Sequence, residues 1–194
     1  MLAAEALDEV AQMLDDPQLV HATALAALRH LNRAHQYVAL RYALLRQTRS
    51  VQLHPSQALY LLPSVFPQFV RLLRADLQGV GPLWVVPMEV LRFGDPRWSV
   101  RPATPTHPPQ WVYQGGLSFV GVYPVPVAHA TMSLIAAVAP NDLLQPGQAL
   151  EVPDAYTANV IEVCAGFLML SAEKAYTQGL AHVRRGLGLS TPGS

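Results

Sequence analysis

The 194 residues carry 13 basic and 13 acidic side chains, so the formal net charge is zero and there is no global basic footprint for nucleic acid. Charged residues make up 13% of the chain and apolar ones 51%, a balance that predicts a subunit largely covered by neighbours. The single cysteine, Cys164, excludes an internal disulfide framework and a cysteine-rich zinc site.

No run reaches the roughly 18 apolar residues of a membrane span, and Glu5, Asp8 and Glu9 break any signal-peptide pattern. The length suits one domain, with or without a subdomain. Fifteen of the seventeen prolines fall between Pro55 and Pro153. The two ends are therefore free to be helical and the middle is not.

In chain order, Leu7, Val10, Ala11 and Leu14 have the i, i+3, i+4, i+7 spacing of a short amphipathic helix, stopped at Asp15-Asp16-Pro17. A long second helix follows, capped by Asp16 with Pro17 or by Thr23. Its stripe is Leu31, Val38 and Leu45, joined by Leu28, His35 and Tyr42. On that stripe His35 reads as a core or interface residue, with no second ligand at i+4.

Residues 51–62 suggest one extended run ending at Pro63. Phe69 to Leu77 fits a helix through Phe69, Leu72, Leu73 and Leu77, and equally a strand. Leu83 to Leu91 suggests a strand interrupted by Pro87. Arg101 to Gln110, with four prolines and no periodicity, reads as a loop. Trp111 to Pro126 reads as two strands around a tight Gly115-Gly116 turn, both glycines taking positive φ. Thr131 to Val138 suits a buried strand. After a connection, Pro153 opens a last helix with Asp154 at its N-terminus and Val160, Cys164, Phe167 and Ser171 on one face. Gly179 weakens that helix.

The charges are unevenly spread. Glu5, Asp8, Glu9, Asp15 and Asp16 lie in the first sixteen residues; no acid occurs from Pro17 to Ala75, where seven arginines fall. Arg29, Arg33 and Arg41 sit on the second helix. Three uses are open for them: a solvated face, salt bridges to neighbouring subunits, or phosphate contact. No catalytic constellation accompanies them. There is no Gly-x-Ser-x-Gly, phosphate loop, dinucleotide fingerprint or His-Glu-x-x-His. The seven histidines are scattered, and Cys164 lies in an apolar run as a small hydrophobe. The expectation is a non-enzyme with no cofactor and no metal.

The order of signals resembles the head-to-tail adaptor (connector or head-completion) proteins of tailed double-stranded DNA phages, in particular those like the tail tubular protein of short-tailed phages. The matching pieces are Leu31-Asn32-Arg33-Ala34, Tyr60-Leu61-Leu62-Pro63, Trp98, Pro109 with Trp111 and Tyr113, Val122-Tyr123-Pro124-Val125-Pro126, and Val152-Pro153-Asp154-Ala155-Tyr156. The resemblance covers roughly residues 1–180.

The resemblance implies a structural virion protein in the neck, made in the host cytoplasm. It implies a homo-oligomeric ring of twelve copies between the portal protein and the tail or nozzle protein. Packaged DNA would pass through without sequence recognition, and no membrane is involved. The expected fold is α+β: a helical bundle from residues 1–50 and 151–183, an antiparallel β-subdomain over 51–140, and a docking tail at 184–194. The tail would meet the portal through Arg184, Arg185, Leu187 and Leu189. Arg29, Arg33 and Arg41 would face neighbours or the channel. The alternatives are another neck or tail-completion protein, and a small peptide- or ligand-binding module.

Overall fold

The computed structural model describes residues 1–16, 23–62, 65–171 and 175–189. The chain divides into two compact units, Met1–Leu45 with Ala139–Ser194, and Arg46–Val138.

The first unit is helical. Helix α1 (Ala3–Met13) buries Ala3, Ala6, Val10 and Ala11, and Glu5 reaches back to accept from the Leu2 N–H at 2.8 Å. Helix α2 (Ala24–Tyr42) is capped by the Thr23 hydroxyl, which accepts from the Ala26 N–H at 3.2 Å. It ends when Ala43 turns left-handed at φ 49°, so Leu45 lies beyond the helix whose stripe it was expected to continue. Pro17, part of the alternative cap, lies outside the described residues.

The expected single last helix is two. Helix α4 (Thr157–Ser171) follows a 3-10 turn at Asp154–Tyr156, and α5 (Tyr176–Gly186) packs back along it. Glycines set this packing. A Cβ on Gly166 would lie 2.6 Å from the Gly179 carbonyl, and one on Gly186 would lie 2.6 Å from Val163. The pairing of 166 with 179 and of 163 with 186 makes the helices antiparallel. Gly179 is thus a contact residue between helices, not simply a weak point. Helix α4 is buried on most sides because α1, α2 and α5 all pack on it, which is why its apolar residues are not confined to one stripe.

The second unit holds seven strands in the order β1-β7-β3-β4-β5-β6-β2. They are β1 (Arg46–Leu53), β2 (Leu59–Leu61), β3 (Phe69–Leu77), β4 (Gly81–Pro87), β5 (Trp111–Gly115), β6 (Phe119–Tyr123) and β7 (Ala130–Val138), with helix α3 (Met88–Gly94) between β4 and β5. Strands β1 and β2 are opposite edges of the sheet, yet only residues 54–58 join them. Six flat inter-strand gaps would span roughly 29 Å. That connection reaches at most about 22 Å. The sheet must therefore curl, and it forms a nearly closed, barrel-like sheet.

This overturns the expected fold class. The protein is not a helical bundle carrying a small antiparallel β-subdomain. It is a mixed α/β protein with, among the described residues, five helices and a seven-stranded sheet. Nor is that sheet purely antiparallel: β4 and β5 pair in parallel, Trp84 with Trp111 through Pro87 with Gln114. A parallel pair needs a crossover, and residues 88–110 supply it as α3 plus the proline loop.

Three local expectations change as well. The run at 51–62 is two strands that begin at Arg46 and break at residues 54–58. The ambiguous segment Phe69–Leu77 is a strand. Two register shifts, between Phe69 and Arg71 and between Leu72 and Arg74, leave Phe69, Leu72 and Ala75 buried at intervals of three, which imitates a helix. The hairpin turn holds three residues, since Gly115 pairs with Phe119 inside the ladder, and only Gly116 has positive φ, at 61°.

Candidate assembly surfaces

The hairpin face of the β unit is built from rings laid over glycines. Side chains of one strand alternate between faces, so Trp111, Tyr113 and Gly115 share a face with their partners Tyr123, Gly121 and Phe119. Trp111 and Tyr123 stack at 5.4 Å between centroids. The Tyr113 ring fills the space where a Gly121 side chain would sit, and the Phe119 ring does the same at Gly115. Leu91 of α3 and Trp98, edge-on to Tyr113 at 5.0 Å, cover this layer. Burial pushes the Tyr113 hydroxyl up to about 12.

At one end of this layer Asp95 closes α3 and gathers three donors. Its carboxylate accepts from the Tyr123 hydroxyl at 2.6 Å, the Arg101 Nε at 2.8 Å and the Arg97 N–H at 2.9 Å. The Tyr123 hydrogen bond, then the Arg97 N–H, then the arginine charges hold the Asp95 carboxyl below the usual range. The network ties the proline loop to the hairpin. Beside it is an open pocket of about 460 Å³, lined by Pro102, Pro108, Trp111 and Pro124, with Arg101 and His107 among its polar residues. Sequence reading did not single out Asp95. Its signal was an Asp-Pro pair after a short apolar stretch. Trp84 on β4 and Phe93 on α3 are 73% and 90% exposed, so both large apolar side chains are available to a partner.

In the helical unit, Arg29, Arg33 and Arg41 are exposed on α2, Arg29 and Arg33 opposite its buried stripe and Arg41 on its flank. Tyr37, half exposed, falls between Arg33 and Arg41 at the same i+4 step, an addition that the spacing alone would have revealed. The Arg33 guanidinium lies 5.4 Å from the Phe167 ring centroid, and Tyr37 meets that ring edge-on at 5.6 Å. Arg41 Nε donates to the Leu187 carbonyl at 3.4 Å.

The residues expected to form a docking tail fall on and just after the last helix. Arg184 and Arg185 belong to the last turn of α5. Glu162 accepts from Arg185 at 3.1 Å and lies 2.5 Å from His182 Nδ1. Leu187 is buried in the helical core, and Leu189 is exposed. Residues 190–194 lie outside the described residues. Removing the chain from Arg184 onward would therefore take a core residue with it.

Among the described residues no group of three His, Cys, Asp or Glu side chains has the geometry to hold a metal ion, and no helix is long and apolar enough to cross a membrane. Of the histidines, His54 and His129 come together, 5.1 Å apart and edge to face. Cys164 is buried, and desolvation pushes its thiol up to about 12, far from a reactive thiolate. His35 is fully buried and its Nε2 accepts from the Glu151 N–H at 3.0 Å.

What the two units present to the outside is contact surface: exposed aromatics, an arginine ridge and a pocket held by an ion-pair network. The family model for the SU10 adaptor protein matches residues 1–190, and the chain belongs to that family, a family of phage head-tail adaptors. Membership in a structural adaptor family implies a non-enzyme. Among curated proteins, none matches the chain.

Proposed function

We propose that this chain is the neck adaptor of a tailed phage, forming a twelve-copy ring between the portal protein and the tail or nozzle protein and extending the DNA channel. The observation that carries the reading is the family match over residues 1–190. The low charge content and the exposed Trp84 and Phe93 support it, since a subunit covered by neighbours tolerates such a surface. DNA passes through the ring without sequence recognition, in keeping with a chain of zero formal charge.

The C-terminal segment, with Arg184, Arg185, Leu187 and Leu189, meets the portal. Leu187 acts there by fixing the segment to the helical core, and Leu189 is free to touch the partner. Arg29, Arg33 and Arg41 serve the ring. The protein is made in the host cytoplasm and ends in the virion neck. Native mass spectrometry of the purified chain with its purified portal tests this. The expected result is a complex with one full ring of this protein per portal. Absence of any complex with portal, together with no density for the chain in images of the virion neck, would reject the reading.

A further inference from the structure

We propose that neighbouring subunits of the ring join through two helices, the acidic face of α1 in one copy lying against the arginine ridge of α2 in the next. This rests on the ring reading above and names the contact that builds it.

Helix α1 packs inward through Ala3, Ala6, Val10 and Ala11. At 3.6 residues per turn, Glu5, Asp8, Glu9 and Gln12 fall within an arc of about 100° on the opposite side, and all four are exposed. The helix carries no basic residue. Helix α2 is the reverse. It carries no acid, and the exposed side chains of Arg29, Arg33, Tyr37 and Arg41 form a row about 18 Å long that winds from the outer face at Arg29 to the flank of the buried stripe at Arg41.

Glu5 is partly engaged by the Leu2 N–H, but Asp8, Glu9 and Arg29 have no ion-pair partner among the described residues. Among those residues no salt bridge joins α1 to α2 within one chain. Both helices pack on α4; Arg33 lies over Phe167 and Arg41 donates to the Leu187 carbonyl within the chain, whereas Asp8, Glu9 and Arg29 are exposed charges left to be matched by another molecule. A second copy carries the matching stripe. The contact uses different faces of the two copies and is therefore heterologous, the kind that closes into rings.

Arginine suits the role because its planar fork pairs with carboxylates through two hydrogen bonds. Tyr37, held against Phe167, supplies a rigid apolar centre between the charges. DNA is the less suitable occupant of the ridge. The acids of α1 belong to the same compact unit, and the chain as a whole has no excess positive charge to attract phosphate.

Full-length protein is prepared as wild type and in two charge-reversed forms, one with Asp8→Lys and Glu9→Lys, the other with Arg29→Glu and Arg33→Glu. Native mass spectrometry follows assembly of each, alone and with purified portal. The wild type assembles, less so as salt is raised. Each reversed form alone sets like charges against each other, and its association weakens at least about tenfold. Mixed in equal amounts, the two forms carry opposite charges on both faces and recover assembly as alternating oligomers.

An α1 reversal that leaves assembly unchanged, or a mixture that does not recover, overturns the contact while the ring reading stands. A wild type that stays monomeric with and without portal overturns both. If a double reversal unfolds, Arg29→Gln alone decides. Weaker association with a flatter salt dependence supports the contact, and unchanged association overturns it.

Discussion

The two units of this chain solve one packing problem with opposite uses of glycine. In the helical unit, glycines bring backbones together: Gly166 and Gly179 let α4 and α5 approach until a methyl group at either position would strike the other's carbonyl. In the β unit, glycines make room for rings: Gly121 and Gly115 lie under Tyr113 and Phe119. The first use depends on the absence of a side chain at both partners. The second depends on a large side chain at one of them. Growth at these glycines should therefore hurt in both units, whereas truncation of the partner side chain should hurt in the sheet.

The largest effect is expected at Tyr113. Tyr113→Ala removes the ring that covers Gly121, packs against Trp98 and centres the layer under α3. Loss of a buried aromatic of this kind costs about 3–5 kcal/mol, read as a lower denaturant midpoint. A loss below about 1 kcal/mol would show that the ring layer is not what holds α3 to the hairpin. In the helical unit the matching change is growth. Gly166→Ala places a methyl group 2.6 Å from the Gly179 carbonyl and 2.9 Å from the Val183 backbone nitrogen, where backbone must move. Overpacking of this kind costs about 1–3 kcal/mol. Gly147→Ala, with nothing within 4 Å, is the control and should be neutral. If the two alanines behaved alike, close approach of α4 and α5 would not be the reason for Gly166.

The units also differed in what the sequence revealed. Helix α2 was legible because Leu31 and Val38 repeat on a straight element whose outer face is polar. The helix end was not: Ala43 takes a left-handed conformation that glycine or asparagine would have announced. The division of α4 from α5 was hidden for a related reason. An apolar helix buried on most sides has no stripe to stop, so Gly179 read as a flaw in one helix.

In the β unit, the hairpin and β7 were legible from their own residues. Strand β3 was blurred because its bulges give burial a spacing of three. The parallel pairing of β4 with β5 left no local trace, because it depends on a crossover in which only the seven residues of α3 are helical. At the candidate surfaces, the arginines of α2 could be read from sequence, whereas Asp95, Arg101 and Tyr123 are brought together only by the fold.

A smaller effect separates the units at the Asp95 network. Asp95→Asn keeps the shape but removes the charge that holds Arg101 and accepts from Tyr123. The expected outcome is faster proteolytic cleavage within residues 101–110, with the hairpin retained. Unchanged cleavage would show that backbone bonds such as Ala103 N–H to the Val125 carbonyl suffice to hold the loop.

The smallest effect is one of pH, and it belongs to the helical unit. Burial lowers the pKa of His35, with the charge of Glu151 opposing in part, and burial followed by the charge of Arg33 lowers that of His30. The fold thus favours the neutral imidazoles. In His35 the Nε2 accepts from the Glu151 N–H, so the ring proton sits on Nδ1, which has no partner among the described residues. A second proton on Nε2 would break that hydrogen bond and place a charge in the core.

The unfolded chain binds this proton near the ordinary histidine value of 6.5, and the folded chain binds it only at lower pH. Stability is therefore fully present above about pH 6.5 and falls as the pH drops below it. The slope from one such group is at most about 1.4 kcal/mol per pH unit. The thermal midpoint should fall between pH 7.5 and 5.5 in the wild type and fall less in His35→Gln, with His30 supplying part of the remaining slope. Equal slopes in the two proteins would assign the acid sensitivity to other groups and leave His35 as a packing residue whose protonation the fold does not oppose.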